Sequence, residues 1–288
     1  MSAHHEENFS SLPEEAVVLI FPEMPDVFIK RAERLHFLAK GNATREYIGA
    51  MAHLAEAQVS ACRIFPSKKE KLSITPLSFD PSHYSYGDDL QKTLDVILLG
   101  MQSVRLPGNL KDGLLHLKSM PSAGLEFMAR ALLCRNYDSI DLAASPILSA
   151  AVQVYWTALA SGIHIDAAQQ ITNFCPVCSS PPVAGIIDDH GSKYLCCSLC
   201  STHWHIPRSM CANCRATGTL FHFSVESEPN IGRVETCGQC NTYLKIFNRQ
   251  SDSEVEAQAD DLASISLDLL MSEEPYSKSG VNLFLLRR

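Results

Sequence analysis

Along the first 171 residues apolar positions recur at helical spacing. Asp26–Lys40 turns Val27, Ala32, Leu35, Leu38 and Ala39 toward one face, and Gly41 stands where a C′ stop belongs. Arg45–Phe65 is alanine-rich, with Ile48, Met51, Ala52, Ala55 and Val59 in its stripe; Pro66 ends it before a basic loop, Lys68–Lys71. Asp88–Ser103 carries Leu90, Leu94, Ile97, Leu98 and Met101 at the same interval. Segments 109–119 and 122–136 flank Pro121. Ser145-Pro146 then reads as an N-cap with proline at N1, opening a long apolar helix to Ala160. Six helices and no strands are expected before residue 172.

Beyond that point the period changes. Val183–Ile187, Lys193–Cys197, Thr219–Val225 and Arg233–Thr236 are short β-like runs. The tail returns to a helix over Val255–Met271, with Leu262, Ile265, Leu269 and Leu270 on one stripe. The expected fold is α+β: an all-helical N-terminal domain (1–171), two tandem β modules (172–208 and 209–250), and a C-terminal helix and tail (251–288).

Composition narrows the function. With 46% hydrophobic and 19% charged residues, a sizeable core is available and global disorder is excluded. The net charge is −8, divided as −4, +1 and −5 over residues 1–171, 172–250 and 251–288. A nearly neutral middle between acidic flanks lacks the basic face that nucleic-acid binding needs. No apolar run approaches the roughly 18 residues of a membrane span, and the acidic, polar start is not a signal peptide. The expectation is a cytoplasmic protein with no membrane insertion and no nucleic-acid partner.

Eleven cysteines are unusual for a reducing compartment, and eight of the nine between Cys175 and Cys240 form four C-x-x-C pairs. The pairs repeat. Cys175-Pro-Val-Cys178 matches Cys211-Ala-Asn-Cys214 at an offset of 36, and Cys197-Ser-Leu-Cys200 matches Cys237-Gly-Gln-Cys240 at an offset of 40. In both copies a threonine follows the last cysteine two residues on, then an aromatic.

Two residues between cysteines let one tight turn aim both sulfurs at a single ion, with backbone N–H groups free to donate to them. A second turn brought alongside by a hairpin closes a tetrahedral S4 site suited to Zn²⁺ or a single Fe. The predicted metal sites are Cys175, Cys178, Cys197, Cys200 and Cys211, Cys214, Cys237, Cys240. Self-alignment favours this sequential pairing over an interleaved one, and the tandem repeat disfavours a thioredoxin-type dithiol. Iron–sulfur clusters use other spacings. A ribbon of this length buries too little to fold alone, so a metal should supply much of its folding free energy.

Other residues have plainer readings. Cys196 is read as a strand residue facing away from the metal, the alternative being an extra ligand or a reactive thiol. Cys62 and Cys134 read as buried small apolar residues. His203 and His205 alternate around Trp204 on a polar strand face, with auxiliary ligation as the alternative, and Trp204 packs on its knuckle. Ser179 departs from the glycine that often follows a knuckle's second cysteine, and Arg215, Gly238 and Asn241 show that the repeat is loose around the knuckles. Asp260 and Asp261 read as helix caps and dipole partners rather than paired catalytic acids. No phosphate loop, His-Glu-x-x-His or nucleophile elbow is present, so no catalytic centre is expected and the protein is not read as an enzyme.

These motifs together resemble the formate dehydrogenase accessory protein family (FdhE). The likeness runs through Arg31-Ala-Glu-Arg-Leu35, Cys175-Pro-Val-Cys178, Tyr194-Leu-Cys-Cys-Ser-Leu-Cys200, Trp204-His205, Cys211-Ala-Asn-Cys214, Glu235-Thr-Cys237 and Tyr243-Leu-Lys-Ile246. It continues in Ala259-Asp-Asp-Leu-Ala-Ser264, Leu267-Asp-Leu269 and the ending Tyr276…Ser279-Gly…Asn282-Leu-Phe284. The resemblance implies rubredoxin-like (zinc-ribbon-like) β modules, with iron favoured over zinc. It also implies a maturation factor required for active respiratory formate dehydrogenase, whose partner is that enzyme's catalytic subunit. A small two-iron electron-transfer protein serving several partners is the alternative.

Overall fold

The computed structural model describes residues 19–65, 85–162, 172–225 and 232–286; the basic loop Lys68–Lys71 lies outside them. Its first element is a two-residue strand, β1 (Leu19–Ile20), where only helices were expected before residue 172. A single strand that short has no periodicity to read. It exists because β4 (introduced below) offers it an edge, pairing Leu19 with Trp204 and Ile20 with His203.

Among the described residues six α-helices follow: α1 (Asp26–Ala39), α2 (Arg45–Ala61), α3 (Asp88–Met101), α4 (Gly108–Ser119), α5 (Ser122–Leu133) and α6 (Ser145–Ser161). A 3₁₀ turn, Cys62–Ile64, tightens the end of α2. α6 is buried almost all round, from Pro146 to Val154 and again at Trp156 and Ala160, because its apolar residues occupy every face. Gly113 in α4 passes so close to the turn before α6 that a Cβ would lie 2.0 Å from the Ala143 carbonyl oxygen.

Several boundaries depart from the sequence reading. α6 includes Ser145, whose hydroxyl donates to the Leu142 carbonyl instead of capping; Asp141 accepts from the Ala143 N–H. α5 stops at Leu133 because Arg135 turns left-handed (φ 57°) and Asn136 N–H reaches back to the Ala131 carbonyl, a Schellman end. Gly41 follows the end of α1 without adopting a left-handed conformation. On α1 the buried face is Phe28, Arg31, Ala32, Arg34 and Leu35, so two arginines sit where only apolar residues were expected.

Among the described residues the second half contributes seven strands to one eight-stranded sheet, with β1 as the eighth. The seven are β2 (Pro182–Ile187), β3 (Lys193–Cys197), β4 (His203–Ile206), β5 (Leu220–Ser224), β6 (Arg233–Cys237), β7 (Thr242–Asn248) and β8 (Ser277–Lys278). The order is β1-β4-β3-β2-β7-β6-β5, with β8 beside β7. Each ribbon is a three-stranded antiparallel unit, and the two join head to tail through a parallel β2–β7 pairing, Gly185 opposite Ile246. A Cβ at Gly185 would sit 2.6 Å from Ile246 Cδ1, so any larger residue at this seam must displace the end of the Ile246 side chain.

The expected C-terminal helix is broken into α7 (Ala257–Ala263) and α8 (Ile265–Met271) at Ser264. Lys245 of β7 causes the break: its ammonium, fully buried, donates to the carbonyls of Asp261 (2.6 Å) and Ser264 (3.3 Å), diverting acceptors from a continuous helix. The break also reorients the expected apolar stripe. Leu262, Leu267 and Met271 are buried while Leu269 and Leu270 are exposed.

Candidate metal centres

Four knuckles place the eight cysteines. In each, the residue after the second cysteine is left-handed: Ser179 (φ 57°), Ser201 (57°), Arg215 (63°) and Asn241 (53°). That conformation closes a tight turn, in which Ser179 N–H donates to the Cys175 carbonyl at 2.9 Å and Arg215 N–H to the Cys211 carbonyl at 3.0 Å. The side chains permit the turn at a cost glycine would avoid. Backbone N–H groups of Leu199 (3.3 Å) and Cys200 (3.4 Å) point at Cys197 Sγ, as those of Asn213 (3.3 Å) and Cys214 (3.5 Å) point at Cys211 Sγ.

The structure brings Cys175, Cys178, Cys197 and Cys200 into one cluster and Cys211, Cys214, Cys237 and Cys240 into another, each with its sulfurs within 4.8 Å of one another. Cys175–Cys200 and Cys178–Cys197 are 3.4 and 3.3 Å apart, and Cys211–Cys240 and Cys214–Cys237 are both 3.7 Å. Tetrahedral S4 coordination at about 2.3 Å sets sulfurs roughly 3.8 Å apart, so both clusters are the size of one ion. The repeated threonines explain themselves: Thr202 and Thr242 hydroxyls lie 3.2 and 3.1 Å from the sulfurs of Cys200 and Cys240.

The charge balance points the same way. Burial pushes the Cys175 and Cys200 thiols well above the ordinary range. It also opposes ionisation of Cys178, yet hydrogen bonds from Cys175, Cys197 and Cys200 outweigh it and hold Cys178 well below that range. In the second cluster burial raises Cys211 to about 12. At Cys237 the same opposition is overcome by the Thr219 hydroxyl and the N–H groups of Cys240 and Gln239, which bring it down to about 6. In each cluster some thiols are held up by burial while others are brought down by neighbouring donors, so the four are not all ionised on the protein's own donors. Four thiolates need a cation, so the donor set fits a soft divalent or trivalent ion.

The surroundings of the two clusters differ. All four sulfur residues of the first are buried among the main core, beside Trp204, whose indole N–H donates to the Thr172 carbonyl at 2.9 Å. In the second, Cys214 is exposed and Cys240 half-exposed. Cys196 is buried away from both clusters, against Val183, Ala184 and Phe247. Cys62 is buried, while Cys134, expected inside, is exposed at the end of α5. His203 and His205 alternate with the buried Trp204 and Ile206 and join neither cluster. Burial and the charge of Arg249 push the His203 imidazole down to about 4.

Residues that sequence reasoning passed over tie the first cluster into the helical domain. Gln58 Nε2 donates to Gln153 Oε1 (2.9 Å), and Gln153 Nε2 donates to Gln258 Oε1 (2.7 Å) and to the Ser198 carbonyl inside the second knuckle (2.7 Å). Arg31 donates to Ser201 Oγ (3.1 Å) and Glu256 (3.0 Å), and Arg34 grips Asp260 and Asp252 at 2.6 and 2.7 Å. Asp260 and Asp261 are therefore buried ion-pair partners rather than simple caps; Asp260 also accepts from the Glu256 N–H, and Asp261 pairs with Lys245 and Lys278. Lys193 of the first ribbon and Glu235 of the second, both buried, meet at 3.0 Å across the sheet. The only sequence signal for any of this was polar residues at positions that the apolar period assigns to the core.

Comparison with known proteins covers the same ground. The models of the FdhE N-terminal, central and C-terminal domains match residues 16–173, 174–208 and 210–285. An FdhE homolog of Proteus mirabilis is 35% identical over 277 residues, covering 92% of this chain and 90% of the relative. Protein FdhE of Salmonella enteritidis is 33% identical over 279 residues, covering 93% and 90%. The crystal structure of the FdhE protein from Pseudomonas aeruginosa superposes with a TM-score of 0.80 at 31% identity, over 93% of this chain and 98% of that one. With both tetracysteine clusters assembled, and the family models and these relatives matching along more than nine-tenths of the chain, the chain belongs to the formate dehydrogenase accessory protein family, FdhE.

Proposed function

We propose that this protein is a cytoplasmic maturation factor required for active respiratory formate dehydrogenase, acting on that enzyme's catalytic subunit without catalysing a reaction of its own. The observation that carries the reading is family membership along nearly the whole chain with all eight cysteines gathered into two ion-sized clusters. The eight cysteines would hold two ions, iron by preference. Four thiolates complete a tetrahedral shell and leave no position for a hydrolytic water, which supports docking or one-electron exchange over bond-making chemistry. Among the described residues no helix is long and apolar enough to cross a membrane, which is compatible with work on a client before its export.

Deleting the gene should abolish respiratory formate oxidation while leaving other twin-arginine-exported enzymes active. A general export defect would overturn the client-specific role. Anaerobic purification with metal analysis and an absorption spectrum separates the metals: about two irons per chain with bleachable thiolate-to-iron bands support a redox contribution, and two zincs support docking alone. The exposure of Cys214 favours a second reading, an electron carrier serving several partners. Under that reading deletion would impair several oxidoreductases together.

A further inference from the structure

The hairpin of α1 and α2 carries a constellation with no part in either ribbon. The two helices pack along Phe28, Ala32 and Leu35 of α1 and Met51, Leu54 and Ala55 of α2, all within the main core. On the outer side of the hairpin, His36 from the last turn of α1 meets His53 and Glu56, one turn apart on α2. His36 Nε2 lies 2.9 Å from Glu56 Oε1 and His53 Nδ1 lies 2.8 Å from Glu56 Oε2, while the two imidazoles meet edge to face with centroids 5.1 Å apart.

We propose that His36, His53 and Glu56 form a third metal site, distinct from the tetracysteine clusters and suited to a divalent late first-row ion such as Zn²⁺ or Ni²⁺. One donor atom from each of the three residues already lies within 4.8 Å of the others. Two ligands at about 2.1 Å from an ion and at right angles to each other are roughly 3.0 Å apart, close to the observed nitrogen–oxygen separations. The two imidazoles are borderline donors that outnumber the one hard carboxylate, which suits zinc and nickel and disfavours calcium or magnesium.

Each ring need only carry its proton on the nitrogen turned away from Glu56 to offer a lone pair at the ion. Because the three positions stand on packed helices, binding requires little backbone ordering. All three side chains are substantially exposed, so water or a partner's side chain completes the shell, in contrast to the closed sulfur sites.

The test is equilibrium dialysis of the full chain, its cysteine clusters loaded with zinc, against micromolar free Zn²⁺, compared with the His36→Ala/His53→Ala double variant. The expected result is one zinc equivalent more in the native chain than in the variant, whatever the cysteine clusters contribute to the total. Glu56→Gln, which keeps the side chain's shape, is expected to weaken that same equivalent. Equal stoichiometry in the native chain and the double variant overturns the site, whether because no extra zinc binds or because His4 and His5 hold it in both. Matching unfolding temperatures of the two proteins in metal-free buffer would show that the substitutions spare the fold.

Discussion

The two ribbons share one sulfur plan and differ in what lies around it. In the first, the four cysteine residues are at most 5% exposed and lie inside the core that also holds α2 and α6. Its knuckles accept hydrogen bonds from Gln153 and Arg31 of the helical domain. In the second, Cys214 faces solvent and β5, the outer strand, is exposed from Phe221 to Ser224. The same chemistry thus serves as an internal staple in one place and as an accessible centre in the other. Location, not ligand set, makes the difference.

The sharpest way to break that comparison is a pair of single ligand changes. Isolated structural tetrathiolate zinc sites contribute on the order of 10 kcal/mol to folding. Cys175→Ser is therefore expected to lose its metal and unfold the helical domain with it, while Cys214→Ser should lose one metal and keep the helical signal. Circular dichroism with metal analysis on both variants reads the outcome. Equal damage from the two would show one cooperative unit. Chelation supplies a gentler version: a competing chelator should take one equivalent quickly and the other at least about tenfold more slowly, since opening a buried site requires local unfolding. A single phase would erase the distinction.

The joint between the ribbons comes next in size. Lys193→Met leaves Glu235 buried without its ammonium partner and is expected to cost about 3–5 kcal/mol by urea unfolding, largely recovered in Lys193→Met/Glu235→Leu. No recovery would mean that the pair's geometry, rather than its charge, holds the seam. Gln153→Leu deprives Ser198, Gln258 and Gln58 of partners and should cost about 2–3 kcal/mol, speeding metal loss from the first cluster alone. Equal acceleration at both clusters would refute the specific link. Smallest is Ser179→Gly, expected to stabilise by about 1 kcal/mol by removing a left-handed serine from an exposed turn. An unchanged midpoint would show that the first knuckle stores no strain.

The helices could be read because burying a helix face imposes a period on the residues themselves, and the six segments appear where that period lies. What it misassigned has one pattern. Arg31, Arg34, Gln58, Gln153, Lys193 and Lys245 had no place in the apolar stripes, whereas each is buried on polar partners that other elements supply. The broken C-terminal helix and the strand at Leu19–Ile20 share that cause. Both depend on a group supplied by another element, Lys245 in one case and the edge of β4 in the other.

The cysteine spacing by itself determined the four knuckles and their repeat, because two intervening residues suffice to set a turn with converging sulfurs. Which knuckles share a cluster was favoured by the repeat but realised only by the hairpins. That one cluster is sealed in the core and the other left open was decided by tertiary structure alone. Both have the same local sequence grammar. Burial depends on which surface of the helical domain the glutamine ladder and the α1 arginines draw against the first ribbon; among the described residues no glutamine or arginine of that domain bonds the knuckle of Cys214, which stays exposed.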